Sequence, residues 1–339
     1  NMVSRLSLQS KILLFLVPAL LYMTATSAVL IYQSYQRSYT AKQLDLSTRY
    51  FDAISQLIHS VQKERGLSSN YLGKKTTRAE LDSHRSVVDA NVEILKNVLT
   101  TGVSENIREK TASTLAEHRE IRNYIDTQEN AIAGESAKRF SALMDKFIGL
   151  QVAKAREYSL DGLESRLISQ SLFEIGKENA GRVRAFTTGV IAMDAAISLQ
   201  DLDKITSARA GILNALDSPA LNISDKTKRD LVDLRSSTNW KEMIRTLSKI
   251  DERASTGKFE EDSRQFLVTM TALIDDIAKS INYETTEITS IVKSVERSAS
   301  LSYWLFLMLT AVAAGIIIFT AWRITREIVS MLTMVADDL

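Results

Sequence analysis

The stretch from His59 to Leu72 reads HSVQKERGLSSNYL, and it continues a helical pattern of apolar residues that leads into it. The leading residues step by four, three and four positions, as one face of a helix requires: Tyr50, Ile54, Leu57 and Val61. Lys63 to Gly66 then place three charged side chains and a glycine together. A glycine inside a helix costs about 1 kcal/mol relative to alanine, and it usually marks a bend or a close approach. The stretch predicts a binding site on a helix, although a solvated charged turn has the same spacing.

A second stretch repeats this arrangement. Lys177 to Ala185 reads KENAGRVRA, which again places Lys-Glu before small residues and an arginine. The two Lys-Glu pairs lie 114 positions apart, which exceeds the 20–50 residues of a solenoid repeat and suits a duplicated half-domain. The sequence therefore predicts that each half contributes one charged corner to a shared pocket.

Together the two stretches resemble the nitrate- and nitrite-sensing (NIT) family. The first half of that family is matched by QKERGLS at 62–68, YLG at 71–73, and His84-Arg85 with Asp89. The second half is matched by KENAG at 177–181 with Arg184-Ala185, and the likeness covers roughly residues 45–290. Members are periplasmic sensors of chemoreceptors, histidine kinases and related transducers. The resemblance implies two stacked helical bundles that hold an oxyanion between arginines.

By position, the resemblance assigns ligand binding to Arg65 in the first half and Arg184 in the second. The planar guanidinium fork stays charged and fits planar oxyanions. Arg182 departs from the family pattern and competes with Arg184 for the role. Two residues apart on a helix, they point to different faces, so we expect at most one to reach the pocket. A surface ion pair is the alternative for Arg65.

Five further residues complete the predicted ligand set. Gly66 and Gly181 would let backbone N–H groups approach the anion. Lys63 is a further candidate, or a strut that holds the arginines together with neighbouring Lys and Glu residues. Arg85 and Arg245 are weaker candidates, for which a solvated surface position explains the sequence as well.

Two apolar runs predict membrane-spanning helices. No charged residue occurs at 12–32 or at 301–322, and about 20 apolar residues cross a hydrocarbon core of about 30 Å. Basic residues precede the first run and follow the second, so the positive-inside rule places both termini in the cytoplasm. A signal peptide is the alternative for the first run. Residues 323–332 resemble the opening helix of a HAMP linker.

The predicted organisation therefore has five parts. They are a cytoplasmic N-terminus (1–11), a first span (12–32), a periplasmic ligand-binding domain (33–300), a second span (301–322) and the start of a HAMP linker (323–339). Apolar residues recur at helical spacing through the outer domain, as at Val88, Val92, Leu95 and Leu99. We therefore expect an all-α fold in which two membrane helices flank two stacked four-helix-type bundles of long continuous helices.

Several functional classes are excluded or disfavoured. Residues 33–300 carry no net charge, so no basic stripe predicts nucleic-acid binding. The chain has no cysteine, and its three histidines, His59, His84 and His118, lack metal-ligand spacing. We expect no catalytic residues, no metal and no cofactor, and we do not expect an enzyme.

The leading hypothesis is a transmembrane chemoreceptor or related sensor of the bacterial inner membrane. It would bind nitrate or nitrite in the periplasm and signal through the second span and the HAMP linker. Its expected partners are the anion, the lipid bilayer, a second copy of the chain, and cytoplasmic signalling proteins reached through a part beyond Leu339. The alternatives are the same architecture sensing another small ligand or a periplasmic protein, and a ligand-free helical scaffold.

Overall fold

The computed structural model describes residues 8–127 and 131–337, and nine α-helices account for most of them. Their bounds are α1 Leu8–Leu72, α2 Arg78–Leu99, α3 Glu105–Thr127, α4 Ala133–Ala155, α5 Leu163–Met193, α6 Leu199–Leu216, α7 Asp225–Ser236, α8 Thr238–Arg253 and α9 Ser263–Asp337. No strand occurs among these residues. The prediction of an all-α fold of long helices is confirmed.

A first hydrophobic core is built by α1 to α4. The apolar stripe that leads into the first motif lies at its centre, because Tyr50, Ile54, Leu57 and Val61 are fully buried. Residues from α2, α3 and α4 complete it, among them Val88, Leu115 and Phe147. Burying these side chains contributes about 25 cal/mol for each Å² of apolar surface removed from water.

A second hydrophobic core is built by α5 to α9. Phe173 and Val183 of α5 pack there with residues of the later helices, such as Leu247 and Met270, which are all fully buried. Serine and threonine side chains cap five helices by accepting hydrogen bonds from backbone N–H groups of the first turn. The capping residues are Thr77, Ser104, Ser198, Ser224 and Ser237. The two cores agree with the predicted pair of bundles.

Two loops of the second bundle contact each other closely. Ile197 donates its backbone N–H to Ala254, and Phe259 donates its own to the Asp194 carboxylate. Gly257 has a φ of +67°, and a Cβ there would lie 2.5 Å from the backbone of Ala195. Only glycine fits this position, because an L side chain would meet both a strained backbone and a main-chain clash.

The chain separates into two compact units, of which residues 43–291 form the one that contains both cores. This unit covers a shorter range of residues than the predicted domain of 33–300. The other unit combines residues from the beginning of α1 with the end of α9, from 292 onward. Within the described residues, one helix, α9, has a segment long and apolar enough to cross a membrane. The predicted span at 301–322 lies in it.

The apolar residues of this other unit are widely exposed. Leu21 and Tyr22 of α1 and Trp304 of α9 are each more than half exposed, and Tyr35 contacts Tyr303 with ring centroids 6.3 Å apart. The predicted first span, 12–32, lies in α1, but part of it falls outside the described side chains, and it stays a prediction. The region resembling a HAMP linker falls at the end of α9, also partly outside them.

Candidate functional site

The two charged motifs meet between α1 and α5. Nη1 of Arg65 lies 2.6 Å from Oε1 of Glu178, and Nε2 of Gln62 donates to the other oxygen of that carboxylate at 2.8 Å. Arg65 and Glu178 are both buried, at 7% and 1% exposure. An ion pair taken out of water needs such extra hydrogen bonds to offset its desolvation. The structure thus brings together halves of the sequence that are 113 residues apart.

Glu178 also holds Arg182. Nε of Arg182 donates to the same oxygen of Glu178 at 3.0 Å, and its Nη2 donates to Asp145 at 2.7 Å. Burial alone would lower the pKa of Arg182, but the charges of Glu178 and Asp145 raise it overall. Two carboxylates therefore neutralise Arg182 and accept hydrogen bonds from its Nε and Nη2.

Arg184 has a different environment. Its Nη1 donates to the hydroxyl of Thr271 in α9 at 3.1 Å, and no carboxylate of the described chain lies within ion-pair distance. Burial and then the charge of Arg65 lower the pKa of Arg184, against the opposing charges of Asp275 and Glu178. Arg184 is thus a half-buried cation on which the positive charge of Arg65 acts. Arg184 itself has no carboxylate counter-ion among the described residues. We call Arg65, Glu178, Arg182 and Arg184 the arginine corner.

The backbone at Gly181 lets Arg65 come close to α5. A Cβ built at Gly181 would lie 3.1 Å from Nη2 of Arg65, which is tighter than ordinary van der Waals contact. The Nη1 of the same guanidinium also donates to the hydroxyl of Ser141 in α4 at 2.8 Å. Among the described residues, Nε and Nη2 of Arg65 have no hydrogen-bond partner, so both can donate to an anion.

We expect Gly181→Ala to weaken anion binding about tenfold without loss of helix. The added methyl displaces the guanidinium of Arg65 by a few tenths of an ångström, whereas alanine itself favours the helix. Gly189→Ala is the matched control, because it lies on the same helix and a Cβ there would meet no described atom within 4 Å. Isothermal titration with nitrate measures both, and equal affinities would show that Gly181 does not position Arg65.

Arg85 and Arg245 lie outside the arginine corner. Nη1 of Arg85 contacts Asp126 at 2.8 Å and its Nε lies 3.3 Å from Glu64, all within the first bundle. Arg245 is exposed on α8, where Glu242 and Glu261 bind it. Carboxylates contact both guanidinium groups, but Nη2 of Arg85 is buried without a hydrogen-bond partner among the described residues. The ligand role predicted for the two residues stays a prediction.

Gly66 and Lys63 are exposed on α1. A Cβ at Gly66 would meet no described atom within 4 Å, so no neighbouring residue requires glycine there, and the expected approach of an anion to its backbone stays a prediction. Lys63 lines a groove of about 650 Å³ together with His59, Lys177 and Asp275. It has no ion pair in the described part of the chain and does not act as the strut that the sequence suggested.

Glu64 fixes the turn of α1 that carries Arg65. This fully buried carboxylate accepts hydrogen bonds from Nε of Arg122 at 2.7 Å and contacts Nε2 of His118 at 3.0 Å. Burial would raise the pKa of Glu64, but the bonds from His118 and Arg122 outweigh it and lower the pKa to about 2. The cluster ties α1 to α3 one residue before the candidate ligand arginine.

A second buried pair lies one turn earlier along α5. Nζ of Lys177 is 2.6 Å from Glu174, and the same carboxylate accepts a hydrogen bond from Ser55 of α1. Lys177 and Glu174 are buried almost completely. The sequence suggested that Lys177, Glu64 and Glu178 are ion-paired supports, and the structure shows each of them in an ion pair.

Sequence reasoning missed three residues that contact the corner, namely Asp145, which binds Arg182, and two residues with hydroxyl groups. Ser141 of α4 accepts from Arg65, and Thr271 of α9 accepts from Arg184. Each is a single hydroxyl in an ordinary helical pattern, far along the chain from the arginine it contacts. Only their positions in the helical repeat could have placed them on the buried face of a helix, and many other hydroxyl residues occupy such positions.

Comparison with known proteins agrees with the two motifs. The family described as nitrate and nitrite sensing matches residues 56–286, which is more than half of the chain. The protein belongs to the NIT family. The match extends over both bundles and includes the whole arginine corner.

A solved structure shares the fold of this NIT protein. The structure of the NasR transcription antiterminator superposes with a TM-score of 0.65 and 17% sequence identity, over 86% of this chain and 84% of that one. At this identity the likeness concerns the fold alone. No curated protein matches the sequence.

Proposed function

We propose that this NIT protein is a sensor of nitrate or nitrite and that Arg65 and Arg184 bind the anion. The observation that carries this is that each motif supplies one arginine, Arg65 bound to Glu178 and Arg184 bound to Thr271, and that no described carboxylate is in ion-pair contact with Arg184. Burial, and after it the positive charge of Arg65, lowers the pKa of Arg184, so the two guanidinium charges repel each other. An anion between them would remove this repulsion and accept charge-assisted hydrogen bonds from both.

A small planar anion suits the available donors. Glu178 already neutralises part of the charge on Arg65, and Arg182 is neutralised by Glu178 and Asp145. With Asp145 counted, the three arginines exceed the two carboxylates bound to them by one positive charge, which matches a monovalent anion better than sulfate. The planar guanidinium groups present donors in the geometry of nitrate oxygens, whereas chloride offers no such directions. We assign no catalytic step to the site.

We expect millimolar nitrate or nitrite to raise the melting temperature of the full chain in detergent micelles. A ligand that binds only the folded state contributes about 2.7 kcal/mol of stability at a hundred times its Kd. Circular dichroism during heating measures the shift, with chloride and sulfate at equal ionic strength as controls. A shift of the same size with chloride, or none with nitrate and nitrite, would contradict the proposal and favour another ligand.

The proposal includes a membrane location and a signalling role. The apolar segment of α9 and the predicted run at 12–32 support two spans in a bacterial inner membrane, with residues 33–300 in the periplasm. The end of α9, which resembles the start of a HAMP linker, supports transmission to a cytoplasmic output in the manner of a chemoreceptor. Labelling of single cysteines by a membrane-impermeant reagent in whole cells tests this topology.

A HAMP linker works as a parallel bundle of two chains, so we propose a homodimer. The native chain has no cysteine, which allows single cysteines to be placed along 285–300 without background. Crosslinks between subunits at helical spacing would support the dimer. A complete lack of such crosslinks along this segment would refute it.

A further inference from the structure

Asp275 is an exposed carboxylate on α9 without an ion-pair partner among the described residues. The next residue, Asp276, differs from it, because Asp276 lies 2.8 Å from Nζ of Lys279. The charge of Asp275 also acts on Lys279, after that of Asp276, but no ion pair joins Asp275 to that lysine.

The position of Asp275 relates it to Arg184. Arg184 donates to Thr271, and Thr271 lies one helical turn before Asp275 on the same face of α9. The charge of Asp275 acts on Arg184 of α5 and also on His59 of α1. Asp275 further lines the groove that contains Lys63 and Lys177. Asp275 is therefore a negative charge on α9, one helical turn from the residue that binds Arg184, and its charge acts on that cation without an ion pair between the two.

We propose that Asp275 is a built-in competitor of the anion for Arg184. In the ligand-free protein Asp275 and Thr271 attract the guanidinium of Arg184 toward α9. A bound anion supplies the counter-charge instead, and the attraction between α5 and α9 weakens. This inference rests on the proposed function and concerns how affinity and response are set at the same site.

The competition predicts the direction in which Asp275 changes the affinity for the anion. A negative charge several ångströms from a bound anion lowers its affinity, and a partly exposed pair at this range changes binding by about three- to tenfold. A residue that merely held Arg184 in place would have the opposite effect, because its loss would weaken binding. The sign of the change therefore separates a competitor from a structural support.

We expect Asp275→Asn in the full chain to bind nitrate about three- to tenfold more tightly than the parent chain. Asp276→Asn is the matched control, since it removes the adjacent carboxylate whose charge Lys279 already neutralises. Asp275→Glu keeps the charge and should bind like the parent chain. Isothermal titration with sodium nitrate in detergent micelles compares all four proteins.

A second measurement follows from the same competition. Without nitrate, Asp275→Asn should melt at a lower temperature than the parent chain, and saturating nitrate should reduce this difference. The inference is overturned if Asp275→Asn binds nitrate equally or more weakly, or if Asp276→Asn tightens binding as much. Failure of the parent chain itself to bind nitrate would instead refute the proposed function, so the two failures are distinguishable.

Discussion

Arg65→Ala is expected to reduce nitrate affinity at least a hundredfold while the helices remain folded. The variant removes the Nε and Nη2 donors that are without a partner among the described residues, and each charge-assisted bond contributes about 1.5–3 kcal/mol. Arg184→Ala should have an effect of similar size. Isothermal titration measures the affinity, and circular dichroism monitors the helix content.

Two further variants make this result specific. Arg65→Ala leaves the buried carboxylate of Glu178 with less compensation, and its charge alone would repel an anion. The double variant Arg65→Ala/Glu178→Gln removes that charge, so any loss of binding that persists belongs to Arg65. Arg182→Ala should cost less than tenfold, because two carboxylates neutralise Arg182. Binding at parental affinity by the double variant would exclude Arg65 from the site.

Glu64→Gln is expected to have the largest effect on stability, a loss of about 3–5 kcal/mol. The substitution keeps the shape of the side chain but leaves Arg122, Arg85 and His118 without the buried charge they surround. Glu117→Gln is the control, because Glu117 forms an exposed ion pair with Lys146, worth at most about 1 kcal/mol. Urea denaturation followed by circular dichroism compares them, and equal midpoints would contradict the expectation.

The contribution of Glu64 to the free energy of unfolding should decrease as the pH falls. Its pKa falls from the model-compound value of 4.5 to about 2 in the folded protein, so its ionised form stabilises the fold. This contribution is fully present above pH 4.5 and is lost as the pH falls toward 2. The difference between the parent chain and Glu64→Gln should therefore shrink below about pH 4.5.

The first bundle was predictable from sequence because its signals are local. The stripe from Tyr50 to Val61 has strict helical spacing, and all four of its apolar members are buried as expected. The charged motifs were predictable as partners because they repeat each other. Their contact between Arg65 and Glu178 follows from that repeat together with the shared bundle architecture.

The remaining features depend on contacts between distant helices. The loops around Asp194 and Gly257 were missed, since the sequence there has no proline and only one glycine. Their conformations are set by contact with each other rather than by local preference. Arg85 was a weaker candidate for the ligand set, and its contact with Asp126 on α3 could not be predicted from the sequence around it. The rotation of one helix relative to the helix it packs against cannot be predicted from the sequence of either helix alone.

The contact between α1 and α5 includes two polar pairs, Ser55 with Glu174 and Arg65 with Glu178. An apolar contact tolerates gradual sliding, because hydrophobic attraction has no direction. Charged pairs are satisfied only at certain offsets, and breaking one while it stays buried costs about 3–5 kcal/mol. The two helices should therefore occupy discrete offsets relative to each other and move between them in steps, without continuous sliding.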